Sequence, residues 1–356
     1  MGKTLDRYVF RLLLTRTLVA AVVLVCLAQL LELLDVTTKI LERGQGLAGI
    51  GHYSLLRLPG EFQQVAALSV LVGSLFTFTQ MARTSEMVVI RATGANIYRV
   101  LRMMAPVAIG IALLDFAVMA EVAPRTQDSL THWMAVNAPA SQAKPVKPHW
   151  FRLGQDLVMV GSESEDGRTL HDLRIYRRDA NRNLVQEVAA PLATAQRGGW
   201  RLHGSVVTQV EQDHSDVSAP FDQDWTTPLG AGALQRLIRA GQDVAFSAAL
   251  GAVSGAGPSD RSPGYYQTRL NRTFAEPLGA IVMLLLSAPA ALSSLRSDQA
   301  VRLLLFGLSS GLLYLVADGL LTALGETSAL PPLLAAWSAP VAFTALAVAV
   351  LLSAEG

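Results

Sequence analysis

The chain has 356 residues, of which 51% are hydrophobic and only 16% charged, with a formal net charge of +1. That balance is too apolar and too charge-poor for an ordinary soluble domain, and it gives no electrostatic reason to expect nucleic-acid binding. The single Cys26 excludes an intrachain disulfide and lies inside an apolar run, where it reads as a small filler.

Three long apolar runs come first, at about 9–34, 62–82 and 100–123. A polar block follows at about 124–264, and runs at about 274–295, 303–324 and 332–353 close the chain. Each run is near the roughly 20 residues that cross a ~30 Å hydrocarbon core. The first is too long for a signal-peptide core and has no Ala-x-Ala site after it, so it reads as a retained helix. Arg11 and Arg16 lie near one end of it, where long cationic side chains can snorkel to the interface. The layout predicts an α-helical membrane protein with six transmembrane helices (3+3) and an inserted all-β domain. Its three parts are 1–123, 124–264 and 265–356.

Lysine and arginine in the short flanks set the orientation. With the N-terminus inside, the cytoplasmic side collects Lys3, Arg7, Arg11, Arg16, Arg83, Arg91, Arg99, Arg102, Arg296 and Arg302. The opposite side collects only Lys39, Arg43 and Arg57 from its short loops. Both termini are therefore expected in the cytoplasm and the β domain outside. Arg269 and Arg272, just before the fourth run, stand against that bias.

Within the polar block, Trp200, Leu202, Val206, Thr208 and Val210 alternate with Arg201, His203, Val207 and Gln209. Phe151, Leu153, Leu157 and Met159 alternate in the same way. Period-two patterns broken by turns such as Arg197-Gly198-Gly199-Trp200 predict short strands in a jelly roll or sandwich. Lys144-Pro145-Val146-Lys147-Pro148 reads as a stiff entry and 245–264 as a flexible return.

Several enzyme-like strings fail on context. Gly44-Gln45-Gly46-Leu47-Ala48-Gly49 spells a dinucleotide fingerprint without a preceding strand, so it reads as a flexible loop. Gly307-Leu308-Ser309-Ser310-Gly311 spells a nucleophile elbow inside an apolar run, where small residues let helices approach. The histidines show no zinc-ligand spacing. No catalytic, cofactor or metal site is expected in this chain. Intramembrane acids such as Asp115, Glu121 and Asp318 leave a membrane-embedded lipid- or glycan-modifying enzyme as a rival reading, and an envelope scaffold as another.

Between the second and third runs, residues 84–94 read as a short helix. Thr84 or Ser85 can cap it, Glu86 suits its first turn, and Gly94 offers a left-handed stop. Met87 to Ile90 is apolar within a charged loop and has no obvious cover in the chain. A partner protein, the lipid surface and a plain loop all remain open for it.

The pattern Arg-x-Ser-Glu-Met-Val-Val-x-x-Ala-x-Gly at 83–94 resembles the coupling segment of the LptF/LptG lipopolysaccharide export permeases. Leu5-Asp6-Arg7-Tyr8, Asp35, Gly44-Gln45-Gly46, Tyr53, Leu55, Leu56 and Pro59 support the likeness. So do Glu121-Val122-Ala123-Pro124, Leu270, Phe274, Pro277, Leu278, Leu295-Arg296-Ser297, Asp318 and Pro331-Pro332, and the LptG branch fits better than LptF. The resemblance implies a permease subunit of an ABC-type transporter in the inner membrane, with a periplasmic jelly roll. It implies an LptF-like second permease and two copies of an LptB-like ATPase, which binds and hydrolyses ATP with magnesium. LptC-like and LptA-like bridge proteins would receive the lipopolysaccharide.

In that scheme Glu86, with Met87, Val88, Ile90 and Arg91, forms the ATPase-coupling surface. The family resemblance also implies lysines at the positions occupied here by Glu32 and Gly60. Lys39, Arg43, Arg57, Arg269 and Arg272 are the basic residues expected to meet the lipid's phosphates instead.

Overall fold

The computed structural model describes residues 2–92, 96–136, 148–164, 167–179, 181, 183–210, 215–227, 230, 234, 246–254, 257–292 and 298–355. They form two compact units, Met1–Gln127 with Gln267–Gly356, and Asp128–Tyr266. The sequence places these divisions at 123/124 and 264/265.

In the first unit, α1 (Gly2–Glu42) and α2 (Gly46–Arg83) form a hairpin, followed by the short α3 (Glu86–Ala92). Next come α4 (Ile97–Ala117), a π-helical turn (Val118–Val122) and α5 (Ala123–Val136). A short helix, α6 (Phe246–Ser254), belongs to the second unit. The last helices are α7 (Pro263–Ala275), α8 (Gly279–Ser287), α9 (Asp298–Glu326) and α10 (Pro332–Glu355). Among the described residues, six stretches are long and apolar enough to cross a membrane: Thr4–Glu42, Gly46–Arg83, Ile97–Met134, Pro263–Ala290, Arg302–Glu326 and Pro332–Ser353. Helices α1 and α2 far outrun their apolar runs. Apolar composition marks only the hydrocarbon-facing part, whereas backbone hydrogen bonding continues the helix into polar flanks. The Glu276–Leu278 3-10 turn, with Pro277 inside it, joins α7 to α8. Proline cannot donate to the helical ladder, which accounts for the break there.

Glycines set how closely the helices approach. A Cβ at Gly73 would lie 2.7 Å from the Thr17 Cα, so α1 and α2 meet backbone to backbone. One turn on, the Arg16 guanidinium donates to the Phe76 carbonyl at 2.6 Å, so it ties the two helices together in addition to any snorkelling. A Cβ at Gly311 would meet Leu71 and one at Gly307 would meet Leu75. The elbow-like string is thus the surface on which α9 packs against α2. The dinucleotide-like string is a tight corner: Gly44 and Gly46 take φ of +71° and +57°, and α2 starts at Gly46. The core runs through Leu13, Leu71, Phe78, Met104, Met283 and Tyr314.

Among the described residues, the second unit holds one antiparallel sheet of eight strands. They are β1 (His149–Leu153), β2 (Asp156–Glu163), β3 (Thr169–Arg178), β4 (Leu184–Gln196), β5 (Gly199–Val210), β6 (Ser215–Val217), β7 (Phe221–Thr226) and β8 (Pro258–Ser259). The order is β6-β5-β4-β3-β2-β1-β8, with β7 also on β5.

The inward face shifts phase part-way along three adjacent strands. Leu173 and Ile175 give way to Leu170, Val188 and Ala190 to Ala193, and Trp200 and Leu202 to Ser205 and Val207. The shifts fall at Asp172 (φ +51°), Pro191 and Gly204 (φ +61°). The β3–β4 and β4–β5 registers set these three positions opposite one another. Strict alternation expects Val206 on the core face, but beyond Gly204 it is Val207 that packs there. In β2, Phe151 pairs with Val158, so Val158 and Val160 line the core rather than Leu157 and Met159.

Candidate functional site

The segment expected to couple to an ATPase folds as α3, and it is partly covered by its own chain. Met87 and Ile90 are 5% and 4% exposed and belong to the helical core, whereas Val88 and Val89 are each 64% exposed. This corrects the expectation of an uncovered Met87–Ile90 face. On a single helical turn, positions i and i+3 share a side, so Met87 and Ile90 anchor the helix and Val88 and Val89 point away. Ser85 takes φ +59°, and its carbonyl accepts from the Val88 and Val89 N–H groups. Thr84 Oγ1 donates to Gln80 O and to Glu86 Oε1 rather than capping the helix. The Tyr8 hydroxyl also donates to Glu86 Oε1, at 3.1 Å, and ties α3 to the start of α1. Arg91 lies in α3 with its side chain outside the described residues, as is Gly94.

A second polar group joins α1, α2 and α5. The Tyr53 hydroxyl donates to Glu32 Oε1 at 2.6 Å, and Arg57 Nε lies 3.4 Å from the same oxygen. Arg57 also donates to Gln127 at 3.3 Å. Beneath them Glu61 is 3% exposed. Oriented to donate, the Gln29 amide lies 2.7 Å from Glu61 Oε2 and its carbonyl accepts from Ser54. A Cβ at Gly60 would lie 4.0 Å from the Arg57 guanidinium, so Arg57 reaches over the position where the family resemblance implies lysine.

The third group lies between α7, α9 and α2. Arg272 bonds to Glu276 at 2.8 Å and to Asp318 at 3.0 Å, and it donates to Thr322 as well. Gln63 donates to Glu276 at 3.3 Å. The side chains of Arg272, Glu276 and Asp318 are 12%, 20% and 15% exposed. Asp115 on α4 is buried, and its Oδ1 has no hydrogen-bond partner among the described residues. An isolated ion in such surroundings is costly, so the guanidinium shared by two carboxylates binds the helices together.

The five basic residues considered for phosphate contact therefore occupy different settings. Arg57 and Arg272 are engaged with acids of this chain. Lys39 is exposed near the end of α1, and Arg43 and Arg269 are half-buried. Glu121 pairs with Arg125 at the π-helical turn. Asp318 is held by Arg272 rather than standing as a free acid. Sequence reasoning assigned no role to Tyr8, Gln63 or Glu61. The available signal was the general one that an acid inside an apolar span needs a partner.

Residues 7–353 match the family described as lipopolysaccharide export system permease LptF/LptG. The chain is 25% identical over 343 residues to the lipopolysaccharide export system permease protein LptG of Escherichia coli (strain K12), covering 93% of each. It is 21% identical over 334 residues to LptG of Haemophilus influenzae, covering 92% of this chain and 91% of that protein. The match takes in both helical halves and the β sheet between them, so the chain belongs to the LptF/LptG lipopolysaccharide export permease family.

Proposed function

We propose that this chain is the LptG-type permease subunit of an ABC-type transporter in the inner membrane. It extracts lipopolysaccharide and passes it to a periplasmic bridge of LptC-like and LptA-like proteins. It works beside an LptF-like permease, and two LptB-like ATPases supply the energy with magnesium and ATP. Both termini are cytoplasmic and the sheet is periplasmic, in keeping with the arginine-rich flanks of 83–102.

The observation that carries the coupling role is α3, whose Met87 and Ile90 are anchored while Val88 and Val89 stand 64% exposed. Apolar side chains held outward between two spans are suited to a groove on a partner. Glu86 and Arg91 lie on the same segment. Glu86 links it to α1 through Tyr8, so movement of α3 is transmitted to a spanning helix. For the substrate, exposed Lys39 offers the most accessible cation of the five basic residues. Arg43 and Arg269, both half-buried, are further contacts, and Arg57 and Arg272 act through the acids they hold.

The test is purification of the complex from membranes with Val88→Asp/Val89→Asp and with Glu86→Ala. The valine variant is expected to lose the ATPase subunit. Glu86→Ala is expected to keep the fold yet lower export per ATP hydrolysed. Full ATPase recovery and wild-type export in both variants would overturn the coupling role.

A further inference from the structure

A cavity of about 840 Å³ opens between the N-terminal ends of α1 and α4. Arg7, Arg99 and Arg102 line it together with the apolar side chains of Phe10, Met103 and Pro106. Asp6 is the acid among its lining residues, with Asn96 and Tyr98 as the neutral polar groups. None of the three guanidiniums has a side-chain hydrogen-bond or ion-pair partner among the described residues, and all three are exposed. The backbone N–H of Arg99 is already taken by the Asn96 side chain at 3.1 Å, so the donors on offer are the guanidiniums.

We propose that this cavity binds the phosphate of an anionic phospholipid. Two of the arginines precede the apolar lining residues along their helices. Arg7 and Arg99 sit at or near the helix starts, while Phe10 and Met103 lie about one turn further into segments that span the membrane. A phosphodiester placed among the arginines would thus send its acyl chains along an apolar wall. Arginine's planar fork suits bidentate phosphate binding, and basic pockets between spanning helices are known settings for acidic headgroups. A soluble phosphate would gain nothing from Phe10, Met103 and Pro106. An acidic protein segment would need many more polar partners than Asn96 and Tyr98 supply. The site requires only that α1 and α4 start at one membrane face. Its placement in the cytoplasmic leaflet rests on the arginine bias used for the orientation above.

The full-length protein, purified in its complex, can be titrated with short-chain phosphatidylglycerol or phosphatidylcholine and followed by native mass spectrometry. Phosphatidylglycerol is expected to bind the wild type more tightly than phosphatidylcholine. Arg7→Gln/Arg99→Gln/Arg102→Gln should weaken it on the order of a hundredfold, at roughly fivefold per arginine. The matching triple lysine variant should keep most of the affinity, which separates lost charge from lost fold. Equal phosphatidylglycerol affinity in wild type and glutamine variant would overturn the proposal. So would inorganic phosphate competing as well as the lipid, or cross-links from Tyr98 to a partner subunit in place of lipid.

Discussion

Replacing Arg272 with Met tests whether the cluster between α7 and α9 is a structural latch. The substitution keeps an unbranched apolar stem but leaves Glu276 and Asp318 without their shared cation at 20% and 15% exposure. Removing one member of a buried ion pair costs about 3–5 kcal/mol. The residual exposure, and the freedom of unfolded helices to find other partners in the membrane, favour the low end, about 3 kcal/mol. At roughly 2–4 °C per kcal/mol, melting of the purified protein followed by circular dichroism should fall by about 6–12 °C. Arg272→Met/Glu276→Gln/Asp318→Asn should recover most of that loss, because neutral amides leave no unpaired charge behind. A single variant that melts with the wild type, or a triple variant no better than the single, would refute the latch. A single variant of unchanged stability that binds lipopolysaccharide weakly would return Arg272 to the substrate contacts.

Three further outcomes follow from contacts elsewhere in the chain. Gly73→Ala places a Cβ 2.7 and 2.8 Å from the Thr17 Cα and N, and should cost about 1–3 kcal/mol by overpacking. Thermal unfolding should show only partial rescue by Thr17→Ala, which removes the 2.5 Å approach to the Thr17 hydroxyl but leaves both backbone contacts. Tyr8→Phe removes the hydroxyl that reaches Glu86, and should raise hydrogen exchange in α3 while leaving the sheet unchanged. In the sheet, the Gly204 N–H and then His203 hold the exposed Asp222 carboxyl below the usual carboxylate range. Its stabilisation is complete above the ordinary carboxylate pKa and fades as pH falls through the lowered one. Amide protection at Gly204 should therefore persist at neutral pH and fade only in strong acid, and Asp222→Ala should abolish that acid step.

The spans and the strand-rich insert were legible because burial in lipid and burial on a sheet both leave periodic apolar signatures. Helix ends were less so, since polar flanks continue α1 to Glu42 and start α2 at Gly46 without any apolar signal. Strand phase failed where the backbone departs from regular pleating. Asp172, Pro191 and Gly204 lie in one line across three strands, and that line is visible only once the register is known. Helix α3 was legible as an element but not in its facing. Met87 and Val88 are both apolar, and only the packing of α3 on the helical core, which includes α2, buries one and exposes the other. The basic residues were the hardest, because a guanidinium beside an acid and one offered to a phosphate look alike in sequence. Arg272 has Glu276 one turn away, but its second carboxylate, Asp318, lies 46 residues on in α9, where no local spacing announces it. Glu32 shows the same limit from the other side. As a departure from the family it suggests a lost phosphate contact, yet in the fold it holds Arg57 over Gly60. A charge lost at one position can be carried by a neighbour that the same change has anchored.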